Sequence, residues 1–285
     1  MKLEKEHNTS MNIRKTLSAL NITPSKSKGQ NFLVDDYALK SIVDFGAPKP
    51  DETIVEIGPG LGAMTRLLLQ NGPVTAIELD KELAKYLRGE NLQDLTLIEQ
   101  DARTVNFSEI ANGKKLVIFG NLPYSVSTDL IFHILENSKS ITRAVFLLQK
   151  EYVERMCAAP GSKTFGVLSV SCQSQATLVP GPVINPECFY PVPAVYSQVV
   201  EIKIPDAPLY NIQDRVWFMK VVRAAFGQKR KMISNSLRSL KGLLPNWREG
   251  IIEEALDKVG ITATDRAERV AIEKFVKLAD EFIKI

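Results

Sequence analysis

The sequence predicts a mostly parallel α/β domain followed by a small all-helical domain, on three observations. From about residue 53, short apolar runs alternate with stretches of helical spacing, the pattern of βαβ units with helices on both faces of a sheet. The first run ends in Gly58-Pro59-Gly60-Leu61-Gly62, where a tight turn leads into a helix. After Ile204-Pro205-Asp206-Ala207-Pro208, a linker, only helical spacing remains. A chain of 285 residues, 45% hydrophobic and 24% charged, is long enough to bury a core without disulfides or metal.

Residues 1–24 are polar without a clear period and read as a mobile tail; 25–205 read as the sheet domain and 206–285 as the helical one. The spacing predicts a helix over 37–45, capped by Asp35 or Asp36. Strands are expected at 53–57, 74–79, 95–99, 116–119 and 144–148, with helices at 64–70, 81–88 and 128–136 between them. Two further β-rich runs, 167–176 and 195–204, read as a closing antiparallel pair around a Pro-rich loop at 180–193. Helices are expected at 214–226, 232–240, 248–259 and 268–285.

Net charge is only +3, so the bulk composition announces no nucleic-acid partner. Cys157, Cys172 and Cys188 form no C-x-x-C pair, which argues against a disulfide framework and against zinc and suits a reducing, cytoplasmic setting. No apolar run approaches the length of a membrane span, and the N-terminus lacks the apolar core of a secretory signal. His133, among Ile131, Phe132 and Ile134, reads as a core-edge residue, and Trp217 and Trp247 as packing anchors.

The glycine turn sits in Val55-Glu56-Ile57-Gly58-Pro59-Gly60-Leu61-Gly62, and Gly58 and Gly60 let the backbone approach a ligand. Glu78 lies twenty residues past Gly58 at the end of the second strand, where a carboxylate accepts ribose hydroxyls. Asp101 ends the third strand at the same edge. Glu56 disfavours a pyrophosphate and tolerates a cation, which favours S-adenosylmethionine over NAD.

After the fourth strand comes Gly120-Asn121-Leu122-Pro123-Tyr124. An exocyclic adenine amine is a poor nucleophile because its lone pair is delocalised. The Asn121 amide oxygen and the Leu122 carbonyl offer two uncharged acceptors for its protons, Pro123 stiffens the chain, and Tyr124 offers a ring for stacking. The catalytic contribution is positioning and electrostatics rather than a strong base. The plain alternative is a Pro-stiffened turn with a packed Tyr.

Residues 215–241 hold Arg215, Lys220, Arg223, Lys229, Arg230, Lys231, Arg238 and Lys241 and no Asp or Glu. This run reads as a phosphate-contacting surface, with Arg223, Lys229, Arg230 and Lys231 at its centre and Lys26 and Lys28 as additions; the alternative is a solvated helix face.

Together QNFLVD at 30–35, VEIGPGLG at 55–62, Glu78, Asp101, GNLPYSVST at 120–128 and FYPVPAVYS at 189–197 resemble the KsgA-type small-subunit rRNA adenine dimethyltransferases, over about residues 25–285. The resemblance implies a Rossmann-like class I S-adenosylmethionine-dependent methyltransferase domain with a small C-terminal all-helical domain. It implies N6,N6-dimethylation of two adjacent adenosines in the 3′-terminal hairpin loop of 16S rRNA, within a small-subunit precursor, by a monomer. The cofactor contacts it implies are Asn31, Leu33, Gly58, Glu78, Asp101 and Asn121; Asn121, Leu122 and Tyr124 would hold the target adenine, with Phe189 stacking on its other face. A packing plug is the alternative for Phe189. Asn31 stands where many members have His, and Leu122 leans away from the related Erm-like 23S rRNA methyltransferases, the competing assignment, which usually show Ile there.

Overall fold

The computed structural model describes residues 9–20, 22–24, 30–123, 126–228 and 230–284. The chain clusters into two units, Met1–Val153 with Val179–Asp206 and Glu154–Leu178 with Ala207–Ile285. The first unit carries α1 (Thr9–Ala19), β1 (Phe32–Leu33), α2 (Asp36–Gly46), β2 (Thr53–Ile57), α3 (Ala63–Leu68), β3 (Val74–Glu78), α4 (Lys81–Gly89), β4 (Leu95–Glu99), α5 (Phe107–Ala111), β5 (Leu116–Asn121), α6 (Ser127–Glu136) and β6 (Ile141–Gln149). The chain leaves it within α7 (Lys150–Met156) and returns along β7 (Thr177–Ile184), β8 (Phe189–Tyr190) and β9 (Ser197–Lys203).

The large sheet runs β4-β3-β2-β5-β6-β9-β7. Strands β2 to β6 are parallel, and β9 lies antiparallel to β6. Strand order reverses between β2 and β5, whose register pairs Ile57 with Gly120, so the crevice for a ligand opens beyond these two carboxyl ends. Gly120 is required there: a Cβ would come within 2.9 Å of the Ile57 carbonyl oxygen. Residues such as Val55, Ile118 and Phe146 are fully buried, as expected of strands covered on both faces. Helices α2 and α4 start on side-chain caps, with Asp35 accepting from the Ala38 N–H of α2 and Asp80 from the N–H groups of Glu82 and Leu83 in α4.

The second unit is built from α8 (Val167–Gln173), α9 (Arg215–Phe226), α10 (Ile233–Leu237), α11 (Ile251–Lys258) and α12 (Ile272–Ile283). Its core joins Phe165 and Val170 to Phe218, Val222, Leu256 and Phe275. Trp217 packs on this core with its indole N–H on the Ala279 carbonyl, and Trp247 packs there too. His133 is a structural residue of the first unit, its ring bonded to the Val105 carbonyl and the Asn137 amide.

Four expectations change. Residues 9–19 of the expected mobile tail form α1, whose Ile13 and Leu17 are buried; a polar composition hid an i, i+4 apolar pair. The run at 167–176 is not a strand but carries α8, in which the Ser169 hydroxyl caps the Gly166 N–H, Val170 joins the helical core and Cys172 is buried. Short apolar runs do not distinguish strand from buried helix by period alone. Strand β7 passes through Pro180 and Pro182 of the expected loop, which it tolerates as the sheet's edge strand. Segment 154–178 clusters with the helical unit, so the boundary drawn at 205/206 leaves out an interior segment that α8 ties to that core.

Arg143 on β6, 11% exposed, joins three elements of the first unit: it meets Glu52 at 2.8 Å and Glu201 at 3.4 Å and donates to the Gly46 and Ala47 carbonyls at the end of α2. Removing it takes the guanidinium from two shielded carboxylates, leaving Glu201 only Lys203 and Glu52 only the Lys49 N–H among the described residues, and frees two carbonyls at the helix end. Arg143→Ala is expected to lower unfolding free energy by about 3 kcal/mol or more, measured by denaturant unfolding.

Candidate cofactor pocket and reaction centre

A cavity of about 380 Å³ opens at the carboxyl edge of the sheet. That lies within the roughly 300–1,000 Å³ of small-molecule sites. Every cofactor residue expected from the sequence lines it: Asn31, Leu33, Gly58, Gly60, Glu78, Asp101 and Asn121.

The glycines serve the turn. Gly58 and Gly60 have φ of 68° and 59°, which a side chain would strain. Their N–H groups are already engaged, Gly58 by the Ile77 carbonyl at 2.9 Å and Gly60 by Glu78 Oε2 at 3.1 Å. The Asp80 N–H holds Glu78 Oε1 at 2.8 Å, so this carboxylate is fixed before any ligand arrives. Burial raises the pKa of Glu78, and the same backbone donors counter it. Asp101 is fixed differently. The Arg103 guanidinium reaches its oxygens at 2.6 and 3.1 Å and holds it below the usual carboxylate range. Sequence reasoning missed Arg103, whose only signal was a basic residue two positions past the strand end.

Glu56, in the strand ahead of the turn, is 1% exposed, and its Oε2 has no hydrogen-bond partner in the pocket wall. Burial, assisted by the like charge of Glu78, pushes its pKa up to about 7. An orphaned buried acid beside two further carboxylates repels phosphate and accepts a cation. A ligand with a ribose, an ammonium, a sulfonium and no phosphate fits this wall, and S-adenosylmethionine has those groups.

At the end of β5, the Asn121 side-chain N–H group donates to the Asn31 backbone carbonyl at 3.0 Å. An amide anchored through nitrogen presents its oxygen on the other side. The Leu122 N–H is taken by the Leu147 carbonyl at 3.2 Å, while no described residue donates to the Leu122 carbonyl. Ser127, which the sequence did not single out, clamps the Pro123 carbonyl through its hydroxyl at 2.9 Å. Asn121, Leu122 and Pro123 all line the cavity. Tyr124 lies outside the described residues. Phe189 is not where a stacking role needs it. It is 2% exposed and packs in the core with Leu33 and Leu39, because β8 pairs it with Leu33. The packing plug replaces the stacking assignment.

On the second unit, Arg223, Arg230 and Lys231 are exposed, as are Lys220 and Lys241, and none has an acidic partner among the described residues. Arg238 of the same run is engaged by Glu249 and Glu253 at 3.6 and 3.5 Å. Lys229, Lys26 and Lys28 lie outside the described residues. Among the described residues no cluster of three or more His, Cys, Asp or Glu side chains is placed to hold a metal, and no helix is long and apolar enough to cross a membrane.

The strand order, the switch-point crevice and a carboxylate-lined pocket ending in uncharged acceptors define a Rossmann-like methyltransferase with a helical C-terminal unit. A family model described as ribosomal RNA adenine dimethylase matches residues 22–284. The chain belongs to that family. It is 42% identical over 261 residues to ribosomal RNA small subunit methyltransferase A of Pectobacterium atrosepticum, covering 90% of this chain and 92% of the relative. The Syntrophus aciditrophicus protein of the same name is 38% identical over 277 residues, covering 94% and 97%. Among solved structures, a dimethyladenosine transferase from Plasmodium falciparum shares the fold at a TM-score of 0.77 and 23% identity, covering 88% of this chain and 96% of that one. The 23S rRNA methyltransferase ErmE does so at 0.68 and 23%, covering 88% and 99%.

Glu56 sets a pH dependence. Its folded pKa of about 7 lies above the ordinary 4.5, so the unfolded chain ionises first and the ligand-free protein loses stability as pH rises from about 4.5 to 7. That shift corresponds to about 3 kcal/mol. A cationic ligand needs the ionised form, so cofactor binding tightens across pH 6 to 8 with proton release. Glu56→Gln is expected to stabilise the ligand-free protein at pH 8 while weakening cofactor binding and flattening its pH profile, read by thermal unfolding and calorimetry.

Proposed function

We propose that this chain transfers methyl groups from S-adenosylmethionine to N6 of two adjacent adenosines in the 3′-terminal hairpin loop of 16S rRNA, acting as a cytoplasmic monomer on a small-subunit precursor. The observation that supports the reading is the Asn121–Asn31 bond, which engages the nitrogen end of a pocket-lining amide and leaves its oxygen to accept, next in the chain to a Leu122 carbonyl to which no described residue donates. S-adenosylmethionine supplies an electrophilic methyl. Glu78 holds its ribose hydroxyls, Asp101 takes the amine of its adenine, and Glu56 balances its positive charge.

Asn121 Oδ1 and the Leu122 carbonyl accept hydrogen bonds from the two N6–H groups of the target adenine in the first transfer, and one of them from the single remaining N6–H in the second. This pulls the amine toward a pyramidal geometry and turns its lone pair out of the ring. Neither acceptor removes a proton before transfer; after each transfer the cationic N6 releases one proton to water. Pro123, clamped by Ser127, keeps the two acceptors at a fixed separation. Arg223, Arg230 and Lys231 grip phosphates on the RNA, whose loop bases are unstacked at low cost.

The names of the relatives that share most of this chain favour the small-subunit RNA over 23S rRNA. Offering labelled cofactor with each undermethylated ribosomal subunit separates the two, with label expected on small-subunit RNA alone and resolved by mass spectrometry to dimethyladenosine. Asn121→Ala is expected to lower the methylation rate by about a hundredfold or more while RNA binding stays unchanged. Replacing Arg223, Arg230 and Lys231 with Ala is expected to weaken RNA binding and reduce the slope of log K against log salt by roughly 2; an unchanged slope makes this surface an ordinary solvated face.

A further inference from the structure

Helix α1 precedes the residues matched by the family model, which start at 22. It nevertheless completes the pocket. Ile13, 6% exposed, lines the cavity together with Leu61 of the glycine turn and Leu83 of α4. Ile13 and Leu17 form one apolar cluster with Leu61, Leu83 and Val34, against which Phe32 and Tyr190 also pack. The next residue, Arg14, sets its guanidinium carbon 4.7 Å from the centre of the Tyr190 ring. Tyr190 is itself held by β8, through its pairing with Phe32. The helix thus seats one residue on the glycine turn and α4, and fastens the next to the β1–β8 ribbon.

We propose that α1 is the gate of the cofactor pocket: Ile13 contacts bound S-adenosylmethionine, and the Arg14–Tyr190 contact sets how often the pocket opens. The proposal rests on the assignment of this cavity to the cofactor. It extends the binding site to a segment that lies ahead of the residues the family model matches. Repeated methyl transfer requires spent cofactor to leave and fresh cofactor to enter, so the opening of α1 controls both.

The two residues have separable signatures. Ile13 acts in the bound state, so its loss weakens equilibrium binding. Arg14 acts only between closed and open, so its loss speeds entry and exit together and leaves affinity nearly unchanged. Binding and release of S-adenosylhomocysteine by the full chain, followed by stopped flow and calorimetry, test both. Arg14→Ala is expected to raise both rate constants about two- to fivefold, the size of an exposed cation–π contact. Tyr190→Leu is expected to do the same, with no further increase in the double variant. Ile13→Ser is expected to raise Kd about tenfold. The thermal midpoint of the ligand-free Arg14→Ala protein is expected to stay close to that of the parent.

Glu78→Ala separates the two possible failures. If it abolishes binding while the Arg14, Tyr190 and Ile13 variants behave as the parent, the gate is overturned and the pocket assignment stands. If Glu78→Ala binds S-adenosylhomocysteine as the parent does, the pocket assignment falls, and the gate with it.

Discussion

The bond from the Asn121 carboxamide to the Asn31 carbonyl organises the proposed reaction centre. A carboxamide free to rotate presents a donor and an acceptor with equal ease, and a donor aimed at an adenine amine opposes the chemistry. Engaging the nitrogen end removes that ambiguity. The anchor is a backbone atom, and its position depends on the ribbon in which Phe32 pairs with Tyr190 and Leu33 with Phe189. Three segments far apart in the chain, around 31, 121 and 190, therefore act as one unit. The burial of Phe189 then has a purpose: it pins the ribbon that carries the anchor.

Three pocket carboxylates do different work because their surroundings differ. Glu78 is tied by two backbone N–H groups and Asp101 by a guanidinium, so both are oriented before a ligand binds. Glu56 is desolvated and its Oε2 has no hydrogen-bond partner among the described residues, and the nearby Thr65 hydroxyl and Arg66 charge offset only part of the cost of burying its charge. Desolvation raises one group while pairing lowers another, and the result is a pocket hospitable to a positively charged nucleoside and inhospitable to a dinucleotide.

Much of this was legible in the residues. The βαβ alternation, the glycine turn and the carboxylates at successive strand ends are local patterns whose meaning follows from strand periodicity and backbone sterics, and all seven expected cofactor residues line one cavity. The elements that were misread have a common physical cause. Segment 167–176 has β-branched residues on an ambiguous period, and burial in the helical core decides it. Pro180 and Pro182 look like loop signals until the strand is found at an edge.

The sequence by itself determined the βαβ alternation from residue 53 to 149, the glycine turn and the residues that line the pocket, because these follow from periodicity, glycine conformation and functional-group inventory. Only the tertiary structure decided which end of the Asn121 amide is engaged by Asn31, that Phe189 is buried, that Arg103 pairs with Asp101, and that Ile13 of α1 lines the cavity. Each of those depends on a partner remote in sequence, and no local pattern encodes the distance between residues brought together by folding.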